Sequence, residues 1–312
     1  MRLYLLEDLN KQRKLLLKRF RQLLLFLMLL FVCDRVTGML LLHGLEKYYG
    51  LANSAEVLLA GYSHMVLGVD KVLLENELGR PVAKYARAGA TLSDREIMIK
   101  HYLSRNPNSV QVVVFGVDSR LFSQEGLSNN SYRLFFPYMD DSTISTYLQK
   151  EVPSLGEYYL HKLLHTSRYS DITLGLAIRG HRNDWGNYKH GQVNIKRLKY
   201  ELIEGKHQKV MFYTEQLKIF KRTLSFLREQ GIEVILAYIP TIDIYNADEP
   251  EKHKHAIDIF KSVAAKNVGI HYVDYNPGYS NRHELFHDHV HLNAKGQELI
   301  TNELINDINL VL

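Results

Sequence analysis

The apolar residues of this chain gather into short continuous runs instead of alternating strictly with polar ones. Residues 56–60 (EVLLA), 82–86 (VAKYA), 110–115 (VQVVVF), 233–239 (EVILAYI) and 270–274 (IHYVD) each read as a strand. Gly61 closes the first and Pro240 stops the fourth. Runs of this kind suit the strands of a parallel sheet covered on both faces. Between them the apolar period lengthens to that of a helix. A capping box from Ser93 to Glu96 precedes Ile97, Met98, Ile99 and Leu103. Leu217, Phe220, Leu224 and Leu227 share a helical spacing, and Ile257, Phe260 and Val263 mark another helix. Asn293 is placed to cap a terminal helix with Ile300, Leu304 and Ile308 along one stripe. The alternation predicts an α/β fold, a doubly wound parallel five-stranded sheet with right-handed crossovers.

Two segments stand outside that alternation. Residues 121–210 form a long insertion after the third strand, rich in Tyr and His, with helical pieces at 144–151 and 160–164. Its loop at residues 179–188 holds the only tryptophan, Trp185. Such an excursion either builds a lid or binding wall over the strand ends or is a loose structural appendage. The other segment is N-terminal. Residues 23–42 are apolar apart from Asp34, Arg35 and a few small or weakly polar residues. Twenty residues at helical rise reach about 30 Å, the thickness of a bilayer's hydrocarbon core. Residues 43–50 offer no small-residue cleavage site, so an uncleaved transmembrane anchor is expected rather than a signal peptide.

Charge sharpens this reading. The chain of 312 residues has a net charge of +5, which by itself would hint at nucleic acid. Seven basic residues lie within the first 21 positions against only Glu7 and Asp8, and the rest is close to neutral. The basicity is local, and no nucleic-acid partner is expected. Basic residues on one side of the span predict a cytoplasmic segment at 1–22, an anchor at 23–42 and an extracytoplasmic domain at 50–312. A charge at mid-bilayer costs about 2.5–3.5 kcal/mol, so Asp34 and Arg35 are expected near the outer boundary or against a partner. Alternatively the span starts nearer Leu15, with Lys18, Arg19 and Arg21 snorkelling. Cys33 is the only cysteine, which excludes an internal disulfide.

Candidate chemistry sits at the strand ends and near the C-terminus. Residues 283–296 read HELFHDHVHLNAKG. The first five letters match the H-E-x-x-H zinc motif, and the overlapping Asp288 and His291 are spaced as an acid–base pair. Zinc would need a regular helix placing His283 and His287 on one face, plus a third ligand such as Glu298 or Glu303. Turn residues crowd the motif on its N-terminal side and Asp-His-Val-His follows it, which leaves little room for that helix. A zinc peptidase is therefore the weakest reading, and no metal or cofactor is expected. His283, His287 and His289 are read as rim residues. The first strand runs into Gly61-Tyr62-Ser63-His64, the second into Ala88-Gly89, the third into Gly116-Val117-Asp118-Ser119. Open α/β sheets bind ligands at this carboxyl edge.

Taken in order, the serine after strand one, the glycine after strand two, the Gly-x-x-polar turn after strand three and Asp-x-x-His before the last helix resemble the SGNH (GDSL-like) hydrolase superfamily. The likeness covers roughly residues 55–310. It implies a flavodoxin-like three-layer arrangement, with Ser63 as nucleophile, His291 as general base and Asp288 orienting it. The backbone N–H groups of Ser63 and Gly89 would be oxyanion donors. The superfamily's third donor is an Asn, and here Asp118 stands at that position. An ionised carboxylate only accepts hydrogen bonds. Asp118 is then protonated, or marks reduced esterase activity, or holds a cationic group of the substrate or of the basic insertion it leads into through Ser119 and Arg120. The last is the preferred reading. Membrane-anchored members resemble accessory proteins of cell-surface polysaccharide acylation. That implies O-acyl transfer or deacylation on a cell-envelope glycan, beside a multi-spanning membrane acyltransferase. The rival from another class is a non-catalytic binding or assembly subunit with the same fold.

Overall fold

The computed structural model describes residues 2–123 and 130–312. A single helix, α1 (Arg2–Tyr49), leads into strand β1 (Val57–Gly61), the short α2 (Ser63–Gly68), α3 (Lys71–Leu78), β2 (Val82–Ala86), α4 (Leu92–Arg105) and β3 (Val112–Val117). The insertion follows: a 3₁₀ helix (Ser131–Tyr138), α5 (Ser142–Glu151), α6 (Leu155–Leu163), a 3₁₀ turn (Thr166–Arg168), α7 (Asp171–His181) and α8 (Ile195–Ile203). The chain then returns through α9 (Thr214–Glu229), β4 (Glu233–Tyr238), α10 (Asp243–Asn246), α11 (Pro250–Lys266), β5 (Ile270–Asp274), α12 (Asn276–Tyr279) and α13 (Ala294–Val311).

The five strands form one parallel sheet in the order β2-β1-β3-β4-β5. Val57 pairs with both Val82 and Val112, and Val112 with Glu233. Alternate residues of each strand point to opposite faces. Leu58, Val113, Phe115 and Leu236 enter one core, and Val57, Leu59, Val114 and Ile235 the other. Both faces are dry, which is why the strand sequences read as unbroken apolar runs. The third strand is shifted by two residues from its apolar run: it begins at Val112, opposite Glu233, and extends through Gly116 and Val117, which pair with Ala237 and Tyr238.

Several local readings are corrected. The box at the start of α4 is formed by Thr91 and Asp94, not by Ser93 and Glu96. Thr91 Oγ1 accepts from the Asp94 N–H, and the Asp94 carboxylate accepts from the Thr91 N–H at 2.8 Å. Glu96 is instead drawn across to α9, accepting from Arg222 Nε at 2.8 Å. The insertion is not loose within its described part, since most of it is helical and it carries its own buried residues, among them Phe135, Ile144 and Leu148. The Trp185 loop is not a binding wall: Trp185 Nε1 donates to Lys47 O, and Asn187 Oδ1 accepts from Tyr48 Oη at 3.0 Å. That loop fastens α1 to the body.

The N-terminal helix is long and apolar enough to cross a membrane. Its side chains from Leu15 to Val32 are solvent-facing, whereas Leu45, Tyr48 and Tyr49 are buried in the core beneath the sheet. The last turns of α1 therefore belong to the globular body. Asp34 and Arg35 have partners there: Asp34 accepts from the N–H groups of His165 and Thr166 at 2.8 and 2.9 Å, and Arg35 donates to Leu163 O at 2.7 Å.

Candidate active site

The site is built where the carboxyl ends of the strands meet the last loop. The backbone leaves β1 through Gly61, where a Cβ would lie 2.7 Å from the Met65 Cβ. Only glycine lets α2 fold back this tightly over the strand end. Ser63 is the first residue of that helix and is 6% exposed. Gly89 ends the turn after β2 with φ at +79°, a left-handed conformation that a side chain would strain. Asp118 follows β3 directly. From the opposite side comes the loop before α13, which is closed by Asp288. Its Oδ1 accepts from the N–H groups of Val290 and His291, both at 2.9 Å.

That turn fixes the imidazole. Asp288 Oδ2 and His291 Nδ1 are 2.8 Å apart. Burial alone would raise the Asp288 pKa, but the His291 hydrogen bond and charge, with the two backbone donors, hold it well below the ordinary carboxylate range. The carboxylate stays ionised, which sets Nδ1 as a proton donor and leaves Nε2 as the basic atom. His291 Nε2 is buried and has no hydrogen-bond partner among the described residues. Ser63, Gly89, Asp118, Asp288 and His291 line one cavity of about 360 Å³, a volume suited to a small group or one end of a larger ligand. Ser63 and His291 share this cavity without a hydrogen bond to each other.

Three further residues shape the site and were not singled out by motif. His64 is buried beside the serine, its Nδ1 2.8 Å from Tyr62 Oη and its ring edge-on to His291 at 5.6 Å between centroids. Burial chiefly, then the charges of His291 and Arg95, push its pKa well below the usual histidine value, so it is neutral. Arg95 lies across the Tyr62 ring at 4.0 Å and donates to Gly116 O, bracing the residue before the serine. Its burial lowers the pKa to about 9, leaving it charged at neutral pH. Arg120 also lines the cavity. Adjacency is the signal for two of them, His64 following Ser63 and Arg120 following Asp118 by two, and Arg95 has none.

No cationic side chain of the insertion pairs with Asp118 among the described contacts. The Arg120 guanidinium turns away, donating through Nε to Gln208 O at 2.8 Å and lying 3.6 Å above the Tyr245 ring. Asp118 instead accepts from the backbone N–H of Arg120 at 2.5 Å and faces His64 at 3.7 Å. Burial pushes its pKa up to about 6, with the Arg120 N–H and charge opposing.

The zinc motif does not form the helix it needs. His283 to Leu285 is a single 3₁₀ turn, His283 Nε2 sits 2.7 Å from Asp243 Oδ1, and His287 Nδ1 sits 2.8 Å from His190 O. The two histidines have separate partners and share no ligand position. Only His289 of the three rim candidates borders the cavity.

Two solved structures align with this chain at low similarity. A proposed acylhydrolase from Bacteroides fragilis NCTC 9343 aligns over 81% of this chain and 86% of its own, with 12% identity and a TM-score of 0.39. A protein described as a proposed platelet activating factor from Streptococcus pneumoniae aligns over 91% and 97%, with 12% identity and a TM-score of 0.42. No family model matches the chain, and no curated protein matches its sequence.

Proposed function

We propose that this chain performs serine-dependent acyl-ester chemistry in the cavity at the sheet's carboxyl edge. One observation carries the reading: the Asp288–His291 pair, whose Nε2 is buried and unpartnered among the described residues, lines the same cavity as Ser63. Ser63 Oγ attacks the ester carbonyl as His291 Nε2 takes its proton. The tetrahedral oxyanion is met by the N–H groups of Ser63 and Gly89. Collapse expels the alcohol, which receives the proton from His291 and leaves an acyl-serine. Water or a sugar hydroxyl then attacks, with His291 as base again. Asp288 holds the tautomer and balances the imidazolium.

The finer reading is O-acyl transfer or deacylation on a cell-envelope polysaccharide. It rests on α1 as an anchor that places the body outside the cytoplasm, with a multi-spanning membrane acyltransferase as the expected partner. A second reading, a non-catalytic subunit that keeps the fold, is favoured by the carboxylate at position 118. The two separate in one experiment. A fluorophosphonate probe should label the full chain in detergent and leave Ser63→Ala unlabelled, and an aryl acetate should be turned over only by the former. A folded wild-type protein that takes no label would exclude the enzyme and leave the binding subunit. Adding acceptor glycan then distinguishes transfer from hydrolysis by the product formed.

A further inference from the structure

We infer that α6 and the start of α7 form a lipid-seating face, so that the body lies against the bilayer crossed by α1. This rests on the reading of α1 as a membrane span. Leu155, Tyr159 and Leu163 recur every four residues along α6 and are 77%, 64% and 62% exposed. Ile172, at the start of α7, is 62% exposed. A soluble surface seldom carries so many large apolar side chains on neighbouring elements without something to cover them. The other side of α6 is committed inward, with Tyr158 buried.

What covers the stripe follows from where it is held. With the span starting nearer Leu15, and Lys18, Arg19 and Arg21 snorkelling, the exposed face of α1 runs from Leu15 to Val32, eighteen residues or about 27 Å of helix, and exposed Val36, Met39 and Leu40 lie beyond it. Immediately after it, Asp34 caps the 164–166 turn through His165 and Thr166, and Arg35 donates to Leu163 O. Tyr169 Oη donates to Gly38 O at 3.0 Å, and α7 runs on beside α1. The end of α6 is thus tied to the helix at the level where the span ends. Leu163, the last residue of the stripe, therefore lies beside the end of the span. A tyrosine beside the leucines and Lys162 in the last turn are the residue types favoured where headgroups meet acyl chains. Lipid is therefore the occupant that the geometry supplies.

The test uses the full chain in a Cys33→Ser background, reconstituted into phosphatidylcholine–phosphatidylglycerol vesicles. Single cysteines at Tyr159, Leu163, Leu27 and Val268 carry an environment-sensitive fluorophore. Val268 is 94% exposed and precedes β5, at the sheet edge opposite β2. Labels at 159 and 163 should be quenched by shallow spin-labelled lipid at least twofold more than the label at 268, and protected from iodide. Iodide quenching equal to that at 268 would overturn the seating. So would protection from both iodide and lipid quenchers, which would mean that a second protein copy or another protein covers the stripe. The Leu27 label, with resistance to carbonate extraction, reports the span separately. If iodide reaches Leu27, the anchor reading fails and the seating fails with it.

Discussion

Asp118 concentrates the unusual chemistry of the site in one side chain. Its pKa in the folded protein is about 6, against an ordinary value of 3.8, because burial disfavours the charged form. The folded protein therefore binds this proton more tightly than the unfolded chain does. Between about pH 4 and 6 its stability falls as pH rises, and above pH 6 the penalty is complete, about 3 kcal/mol at most. Asp118→Asn removes the charge and can still accept from the Arg120 N–H. It should raise Tm at pH 7.5 and have little effect near pH 4, readable by thermal melts across that range. Because no cationic side chain pairs with Asp118, the same change should also raise ester turnover. One amide donor to an oxyanion is worth up to about 3–4 kcal/mol where measured in other enzymes. A fall in kcat on an aryl acetate would show that the carboxylate binds substrate. At Asp288 the sign is opposite: its depressed pKa contributes stability that is present at neutral pH and lost on acidification. Asp288→Asn should cut kcat by orders of magnitude with little change in KM, through loss of the His291 tautomer.

At the scale of elements, two junctions hold the site and the anchor in place. The first is the start of α4, where Thr91 and Asp94 close a reciprocal cap and Asp94 also accepts from Tyr147 Oη of α5 at 2.7 Å. Thr91→Ala should cost about 1 kcal/mol, as caps do, seen as a lower denaturation midpoint. It should also weaken labelling at Ser63, since α4 carries Arg95 against Tyr62. The second is the crossing of α1 and α7. A Cβ on Gly180 would overlap the carbonyl of Gly44, and one on Gly44 would overlap that of Ala177. Backbones this close leave no side chain that can move aside. Gly180→Ala should therefore destabilise the body by about 1–3 kcal/mol, the usual cost of overpacking, and loosen it from α1. Limited proteolysis between residues 181 and 195 would detect that loosening.

For the whole molecule, the charge asymmetry predicts an N-terminus in the cytoplasm and a body outside. Protease added to spheroplasts should digest the body and spare residues before the span. Full protection of the body would reverse the orientation. The body does not hang on a free linker, since α1 runs unbroken from its exposed apolar stretch into the core at Leu45 and Tyr49. With α1 as the proposed span, the Asp34 and Arg35 bonds to the insertion and the packing of α7 on α1 would fix how the body sits over the bilayer.

Local sequence determined the features whose physics is local. Buried parallel strands need apolar residues on both faces, so β1, β3 and β4 were legible as runs of Val, Leu and Ile. A three-residue spacing puts a carboxylate and an imidazole on one turn, so the Asp288–His291 pair was legible too. Ser63 and Gly89 had no such local signal and were named through the resemblance of the four ordered motifs. Tertiary structure alone decided the rest, because those contacts join residues far apart in sequence. No periodicity announces that Arg95 lies on Tyr62, that Arg120 turns to Gln208 rather than Asp118, or that Glu96 leaves a capping role for Arg222. The insertion's helices have short, mixed apolar patterns that become stable only on packing against α1 and each other. The charged pair in the apolar segment looked costly in sequence. Its partners, 128 to 132 residues away, appear only when the chain is folded.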